Sequence, residues 1–153
     1  MKVALIGAGQ IARQHLACLK ALPGIELAAA CDLSPAAAEA AAERYGVSAW
    51  FTDHRAMLEK VRPAVVHVTT PPTSHFKLAT DAFAAGAHVI VEKPATSTFE
   101  ELETLVRHAK GAGRHLIEDY NARTNVVRCD CGWSGNADEF AVHRRAVGAT
   151  SPS

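Results

Sequence analysis

A short apolar run that turns on glycines directly into a helix opens the chain. Residues 3–6 have the pattern of a strand covered on both faces. Gly7, Ala8 and Gly9 follow at once, and residues 10–22 have the pattern of a helix. Such a turn points free backbone N–H groups and the positive end of a helix dipole at one place, which suits a phosphate.

The glycine spacing matches the G-x-G-x-x-A variant of the dinucleotide-binding fingerprint, with Gly7, Gly9 and Ala12 at the fixed positions. Gly7 permits a tight turn, Gly9 lets a pyrophosphate approach the backbone, and Ala12 lets the helix pack close to the strand. The cofactor contacts predicted for this turn are Gly7, Ala8, Gly9, Gln10 and Ile11.

An acidic residue after the second predicted strand makes this pattern more specific. Asp32 follows the mostly apolar segment Glu26–Cys31 and lies 23 positions after Gly9, where a ribose-binding carboxylate is expected about 20 residues on. A carboxylate there accepts hydrogen bonds from ribose hydroxyls and repels a 2′-phosphate. Leu33 stands where an arginine would bind that phosphate, so NAD is favoured over NADP. Alternatively, Asp32 caps the next helix, for which Ser34 is an equally good candidate.

The composition of the 153 residues fits a globular protein, with 48% hydrophobic residues and a formal net charge of zero. Nothing in this charge balance indicates nucleic acid or a membrane as partner. No apolar stretch approaches the roughly 20 residues of a membrane span, and the N-terminus does not resemble a signal peptide. We expect a cytoplasmic protein without a disulfide framework, in which Cys18 and Cys31 are small buried residues.

Strands and helices alternate along most of the chain, which predicts an α/β fold with a doubly wound parallel sheet. The predicted strands are residues 3–6, 26–31, 48–52, 64–69, 87–91 and 115–118. Six strands with five crossovers match the three-layer αβα Rossmann fold of order 3-2-1-4-5-6. Among the connecting helices, one is expected to begin at Thr73 or Ser74 as cap and another at Thr98.

The segments singled out all follow predicted strands. Gly7, Asp32 and residues 70–72 and 92–94 therefore come to the same edge of the sheet. In this fold the cofactor crevice lies at the carboxyl ends of strands one and four. The sequence thus predicts one binding cleft at this edge.

Five segments together resemble the Gfo/Idh/MocA oxidoreductases, the relatives of glucose–fructose oxidoreductase and inositol dehydrogenase. They are residues 7–12, 31–32, 70–75, 85–94 with Glu-Lys-Pro at the end, and 118–123. The resemblance covers about residues 1–125. It implies NAD(P)-dependent oxidation of a hydroxyl, or reduction of a carbonyl, on a sugar, cyclitol or related polyol.

The resemblance also implies roles for single residues. Glu92 and Lys93 match a glutamate and a lysine that lie beside the nicotinamide in the family. An ammonium at a strand end donates to the substrate oxygen and stabilises an alkoxide, so Lys93 is the predicted catalytic residue; the alternative is a surface lysine. Thr70, Pro71 and His75 are further expected cofactor contacts, although His75 alone is more often a helix-end histidine.

The other histidines predict no site, and no metal ligand is predicted. His67 lies within a buried strand and is expected to be a core histidine. Five further histidines are not expected to converge on a common site: His15, His54, His88, His108 and His115.

The chain departs from the family after Arg123. This residue matches a family arginine; the alternative is a solvent-exposed arginine in a loop. Family enzymes continue into a second α/β domain with most of the substrate pocket. We therefore expect a dinucleotide-binding domain over residues 1–123, a partly disordered tail over 124–153, and a truncated enzyme that is weakly active or inactive alone. The alternative is a non-catalytic NAD-binding module or sensor. The oligomeric state does not follow from the sequence.

The sequence of the tail predicts a short hairpin and a helix that are loosely attached to the domain. Cys129 and Cys131 are two apart, so on a strand both thiols share one face, and His143 is the third candidate zinc ligand. Because a structural zinc site needs four ligands and no fourth is obvious, free thiols are favoured over zinc. In the alternative function, the NAD-binding module carries this Cys/His tail for zinc or protein interaction.

Overall fold

A parallel sheet with helices on both faces forms the body of the computed structural model, which describes residues 1–121, 126–129 and 134–136. The parallel strands are β1 (Lys2–Ile6), β2 (Glu26–Cys31), β3 (Trp50–Phe51), β4 (Val65–Val68), β5 (His88–Glu92) and β6 (Leu116–Asn121). Their order across the sheet is β3-β2-β1-β4-β5-β6. The predicted Rossmann order is therefore confirmed.

Helices connect the successive strands within the described residues. They are α1 (Ala12–Ala21), α2 (Pro35–Tyr45), α3 (His54–Val61), α4 (Pro72–Ala84) and α5 (Phe99–Gly111). Thr98 caps α5 as predicted, since its side chain accepts the N–H of Glu101. No helix in the described ranges has the length and apolar character needed to cross a bilayer.

Side chains of β1 alternate between two cores, one on each face of the sheet. Ala4 and Ile6 belong to the core that includes residues of α3, α4 and α5. Val3 and Leu5 belong to the opposite core, which contains residues of α1 and α2. Because both faces of β1 are covered, its sequence is a continuous apolar run rather than an alternating one.

The start of α4 differs from the prediction. The helix begins at Pro72 with Pro71 in the cap position, so the expectation that Thr73 or Ser74 caps it is wrong. A proline at the first helical position has no N–H that needs a partner. The hydroxyl of Ser74 instead donates to the carbonyl of Pro71 at 2.8 Å.

Cys18 is exposed, whereas Cys31 is buried. The prediction that both thiols are buried is therefore wrong for Cys18. One stripe of α1 faces the core, and it consists of Ala12, His15, Leu16 and Leu19. Cys18 lies outside this stripe, and its side of the helix faces solvent.

Two antiparallel strands extend the sheet past β6. β7 (Val126–Cys129) pairs with β6, and β8 (Ser134–Asn136) pairs with β7. The sequence predicts a hairpin here, but not its pairing with the edge of the sheet. Arg123, Cys131 and His143 lie outside the described residues, so the zinc hypothesis and the domain division at residue 123 stay predictions.

Candidate functional site

The glycine turn between β1 and α1 is fixed by the ends of two neighbouring strands. Gly7 has φ 98°, and a Cβ added to it would lie 2.7 Å from Cγ2 of Thr70. Its N–H donates to the carbonyl of Cys31 at 2.8 Å, and the hydroxyl of Thr69 donates to its carbonyl at 2.6 Å. A larger residue at position 7 would be strained in conformation and would clash with the loop after β4.

Gly9 leaves open space on the outer side of the same turn. No atom lies within 4 Å of a Cβ built at this position, and both Gly9 and Gln10 are exposed. Gln10 and Ile11 complete the turn, because α1 begins only at Ala12 rather than at Gln10 as expected. N–H groups in the first turn of α1 already donate to the carbonyls of Gln10 and Ile11. The backbone N–H groups of the glycine turn before them, together with the open space at Gly9, fit the pyrophosphate of a dinucleotide.

Asp32 joins the glycine turn to the end of β2. Its Oδ2 accepts the N–H of Ala8 at 2.7 Å, and its Oδ1 accepts the N–H of Ser34 at 2.8 Å. The cap of α2 is Ser34, whose hydroxyl oxygen accepts the N–H of Ala37 at 3.4 Å. Asp32 is therefore not the helix cap. Each carboxylate oxygen still has a lone pair for a ribose hydroxyl.

Burial also determines the chemistry of the thiol next to Asp32. Desolvation, together with the negative charges of Asp32 and Asp53, raises the pKa of Cys31 to about 11. The thiol therefore stays protonated at neutral pH and is neither a nucleophile nor a ready metal ligand.

His75 connects the loops that follow β4 and β5. The ring is fully buried, with Nδ1 2.9 Å from the carbonyl oxygen of Pro94 and Nε2 2.7 Å from that of Thr70. Both ring nitrogens therefore contact the backbone, and the observed role of His75 is to hold these two loops together. Its contact with a cofactor stays a prediction, as do those of Thr70 and the exposed Pro71.

Glu92 and Lys93 lie side by side at the carboxyl end of β5, but their side chains differ in environment. Glu92 is 9% exposed, and its Oε2 accepts the N–H of Lys93 at 3.2 Å. The side chain of Lys93 is exposed, and the peptide bond between Lys93 and Pro94 is cis. An ammonium group is thus presented to solvent at the edge predicted to bind the cofactor.

A buried histidine of α1 reaches Glu92 from the other side. Nε2 of His15 lies 2.8 Å from Oε1 of Glu92 and 3.6 Å from Oδ2 of Asp119. Nδ1 of His15 lies 2.9 Å from Nδ1 of His67. Burial and the neighbouring His15 lower the pKa of His67 to about 3, so this ring is neutral at physiological pH.

The prediction that His67 is a core histidine is confirmed, whereas the expectation that His15 converges on nothing is wrong. The missed signal is periodicity. His15 occupies the buried stripe of α1. His67 and Glu92 alternate in their strands with valines of the opposite core, which puts both side chains on the face that α1 covers.

His15, Glu92 and Asp119 each offer a metal-ligand atom, and the three atoms lie within 4.8 Å of one another. The sequence predicts no metal ligand here. Three ligands match the number found in open, catalytic zinc sites, whereas structural sites use four. His15 and Glu92 are already close enough to satisfy each other by a hydrogen bond.

Contacts link the predicted residues around the strand ends. Asp32 binds the turn at Ala8, and Gly7 packs against Thr70. His75 joins the loops of Thr70 and Pro94. The structure therefore brings the sequence-predicted residues to one edge of the sheet.

A family model described as an oxidoreductase family with an NAD-binding Rossmann fold matches residues 1–120 of the chain. Among characterised proteins, D-glucoside 3-dehydrogenase of Escherichia coli (strain K12) is 37% identical over 124 residues, which cover 80% of this chain and 35% of the relative. D-apiose dehydrogenase of Paraburkholderia graminis is 32% identical over 122 residues, which cover 80% of this chain and 32% of the relative.

Solved structures show the same similarity. An oxidoreductase from Agrobacterium radiobacter, in complex with NAD+, L-tartaric acid and magnesium, has a TM-score of 0.77 at 26% identity, covering 82% of this chain and 36% of that chain. The WlbA dehydrogenase from Chromobacterium violaceum, in complex with NADH and UDP-GlcNAcA, has a TM-score of 0.76 at 34% identity and the same coverage. The chain spans about a third of the length of the relatives it matches.

Proposed function

The chain belongs to the Gfo/Idh/MocA family of oxidoreductases, and from this premise we propose that it forms the NAD-holding part of a dehydrogenase. The proposed substrates are CH–OH groups of sugars, cyclitols or related polyols, as in the names of the D-glucoside and D-apiose dehydrogenases to which it is similar. The observation that supports this most directly is the Asp32 carboxylate bound to the glycine turn, beside the open space at Gly9.

In this proposal the backbone of the glycine turn binds the pyrophosphate, and Asp32 binds the adenosine ribose. The wall of the crevice after β4 contains Thr70, Pro71 and His75. The wall after β5 contains Glu92 and Lys93. NAD, when bound, accepts the hydride. Because a carboxylate repels a 2′-phosphate, NADP is expected to bind more weakly than NAD.

Lys93 has the proposed catalytic role. Its ammonium donates a hydrogen bond to the substrate oxygen, which stabilises the negative charge that develops there as the hydroxyl proton passes to solvent water. An exposed side chain is accessible to a substrate that approaches from solvent. Full efficiency needs water to be excluded from this position.

A second candidate is an NAD-binding module that carries out no reaction by itself. The exposure of Lys93 to solvent favours it, because an open reaction centre gives weak catalysis. Both candidates require NAD binding. NADH formation from a panel of polyols supports the dehydrogenase, and binding without any turnover supports the module.

The binding experiment is a calorimetric titration of the full chain with NAD+, NADH and NADP+. A Gly9→Val variant is expected to keep its fold, since open space surrounds the new side chain, and to lose cofactor affinity by at least about tenfold because that side chain fills the place of the pyrophosphate. Gly111→Val is the control, as no atom lies within 4 Å of a Cβ there either. No binding at millimolar NAD+ would refute the proposal.

A further inference from the structure

We propose that His15 is a positioning residue for the nicotinamide side of the crevice, and that it acts by holding Glu92 and, through it, the peptide of Lys93. The inference rests on the proposed function, since it concerns one half of the same cofactor site. The relevant feature is a hydrogen-bonded path from α1, the helix that begins at the glycine turn, to the end of β5.

The Glu92 carboxylate bridges two elements. Its Oε1 lies 2.8 Å from Nε2 of His15 on α1, and its Oε2 accepts the N–H of Lys93 at 3.2 Å. Glu92 is 9% exposed and His15 8% exposed. Shielded from water, hydrogen bonds to a charged group are strong and directional. Removing the His15 contact therefore frees the Glu92 side chain, and with it the support of the Lys93 peptide.

The carboxylate of Glu92 fixes the direction of its hydrogen bond with His15. A carboxylate only accepts, so Nε2 of His15 carries a hydrogen and donates it to Glu92. Nδ1 of His15 lies 2.9 Å from Nδ1 of His67, so one of these two nitrogens donates its hydrogen to the other. His67 therefore holds the ring of His15 in the orientation in which Nε2 faces Glu92, as a partner at the second ring nitrogen does elsewhere.

The topology places this path under one half of the dinucleotide only. In a sheet of this order the two nucleotide halves lie on either side of the switch point between β1 and β4. Asp32 follows β2 on the adenosine side, whereas Glu92 ends β5 on the other side. Loss of the His15 contact is therefore expected to weaken binding of the nicotinamide half and to leave the ADP-ribose half unchanged.

A divalent cation is the competing occupant of the same cluster, because His15, Glu92 and Asp119 bring three ligand atoms within 4.8 Å. In that case Nε2 of His15 would bind the ion in place of its hydrogen. The 2.8 Å separation of His15 and Glu92 is that of a direct hydrogen bond, which favours the proton. The two possibilities give different results with a chelator.

The test compares the dissociation constants of NAD+ and ADP-ribose for the full chain, with and without EDTA. His15→Asn removes the donor at the Nε2 position, whereas His15→Gln retains an amide N–H near it. We expect the ratio of the NAD+ to the ADP-ribose constant to rise about tenfold in His15→Asn, the scale of one lost hydrogen bond to a charged group. It is expected to stay within about twofold of wild type in His15→Gln and in the control His108→Ala, an exposed histidine of α5.

Nitrogen NMR of the histidine rings supplies a second measurement on the wild type. We expect a hydrogen on Nε2 of His15, and a change of the His15 signal when NAD+ binds but a smaller one with ADP-ribose. A His15 ring without a hydrogen on Nε2 would contradict the proposal.

Other outcomes overturn the inference without touching the proposed function. Equal losses for both ligands in His15→Asn would show a general defect of α1, and equal ratios in all variants would show that His15 is irrelevant to the nicotinamide half. A ratio that rises in wild type on adding EDTA would assign the cluster to a cation. If wild type binds neither ligand, the proposed function fails first and the inference fails with it.

Discussion

Lys93 and Glu92 are neighbours in sequence, yet one is open to solvent and the other is buried. The strand explains the difference, because β5 ends at Glu92 and the chain turns outward at Lys93. The buried carboxylate holds the Lys93 peptide, while the side chain remains accessible. A fixed backbone with an exposed ammonium group suits a residue that meets a substrate from solvent.

We predict that Lys93→Ala lowers the rate of NADH formation from a polyol by about 10² to 10³, the range for the loss of one donor that stabilises a developing oxyanion. The affinity for NAD+ is expected to change by less than about threefold, since most cofactor contacts proposed here involve other residues. Steady-state kinetics and calorimetry measure the two effects separately. Lys110→Ala, in the last turn of α5, is the control, and a rate in Lys93→Ala equal to wild type would remove the catalytic role.

Part of the site was predictable at the residue scale, because parallel strands bring their carboxyl ends to one edge. The placement of Asp32 and Glu92 at that edge follows from this rule, whereas the role of Glu92 came from the family resemblance. His15 was not predictable, since its partners His67 and Glu92 lie 52 and 77 positions away along the chain. Only the packing of α1 on β4 and β5 creates that contact, and a single sequence does not specify it.

At the scale of elements, α3 and α4 are held together by one carboxylate. Asp81 of α4 lies 2.8 Å from Nε2 of His54 and 3.2 Å from Nε of Arg55, both on α3, and 2.7 Å from Nζ of Lys77. Burial raises the pKa of Asp81, but the hydrogen bonds from His54, Lys77 and Arg55 outweigh it and hold the pKa well below its usual range. Short helices such as α3 depend on tertiary contacts of this kind.

We predict that Asp81→Asn lowers the free energy of unfolding at pH 7 by about 1–2 kcal/mol, because two of its three partners are largely exposed and contribute little. The folded pKa of Asp81 is lowered, so its stabilisation is present above the unfolded value near 4 and is lost as the pH falls below it. The variant should therefore lose less stability than wild type on acidification. Urea titrations between pH 7 and 3 measure this.

The control for Asp81→Asn is Glu59→Gln, which replaces an exposed carboxylate of α3. Its unfolding free energy is expected to stay within about 0.5 kcal/mol of wild type. Equal pH dependence in Asp81→Asn and wild type would show that the cluster does not contribute to acid sensitivity.

Element positions were predictable to within a few residues, because apolar runs and caps mark them. β2 was predicted with the bounds observed. The start of α4 was not, since two successive prolines compete with two hydroxyl residues as start signals and the proline geometry prevails. The pairing of β7 with β6 also depends on an available sheet edge, which is a property of the assembled fold.

At the scale of the whole molecule, cofactor binding and folding are linked. A ligand that binds only the folded state stabilises it by about 2.7 kcal/mol at a concentration of 100 times its dissociation constant. For a chain of this size we predict a rise in melting temperature of about 5–10 °C with NAD+ at 100 times its dissociation constant. NADP+ at the same concentration should give a smaller rise, and so should NAD+ with Gly9→Val, for which a tenfold loss of affinity leaves about 1.4 kcal/mol; equal rises for both cofactors would contradict the preference assigned to Asp32.

The bond between Asp32 and the Ala8 peptide has a consequence for cofactor engineering. Removing Asp32 to admit NADP would also release the turn that receives the pyrophosphate. The affinity for NADP would gain from the lost repulsion, but the affinities for NAD and NADP would both fall because the turn has lost its anchor. Leu33 is 92% exposed and stands beside that carboxylate. An arginine introduced there adds a phosphate ligand while the turn keeps its anchor, which makes position 33 the better starting point for a change of specificity.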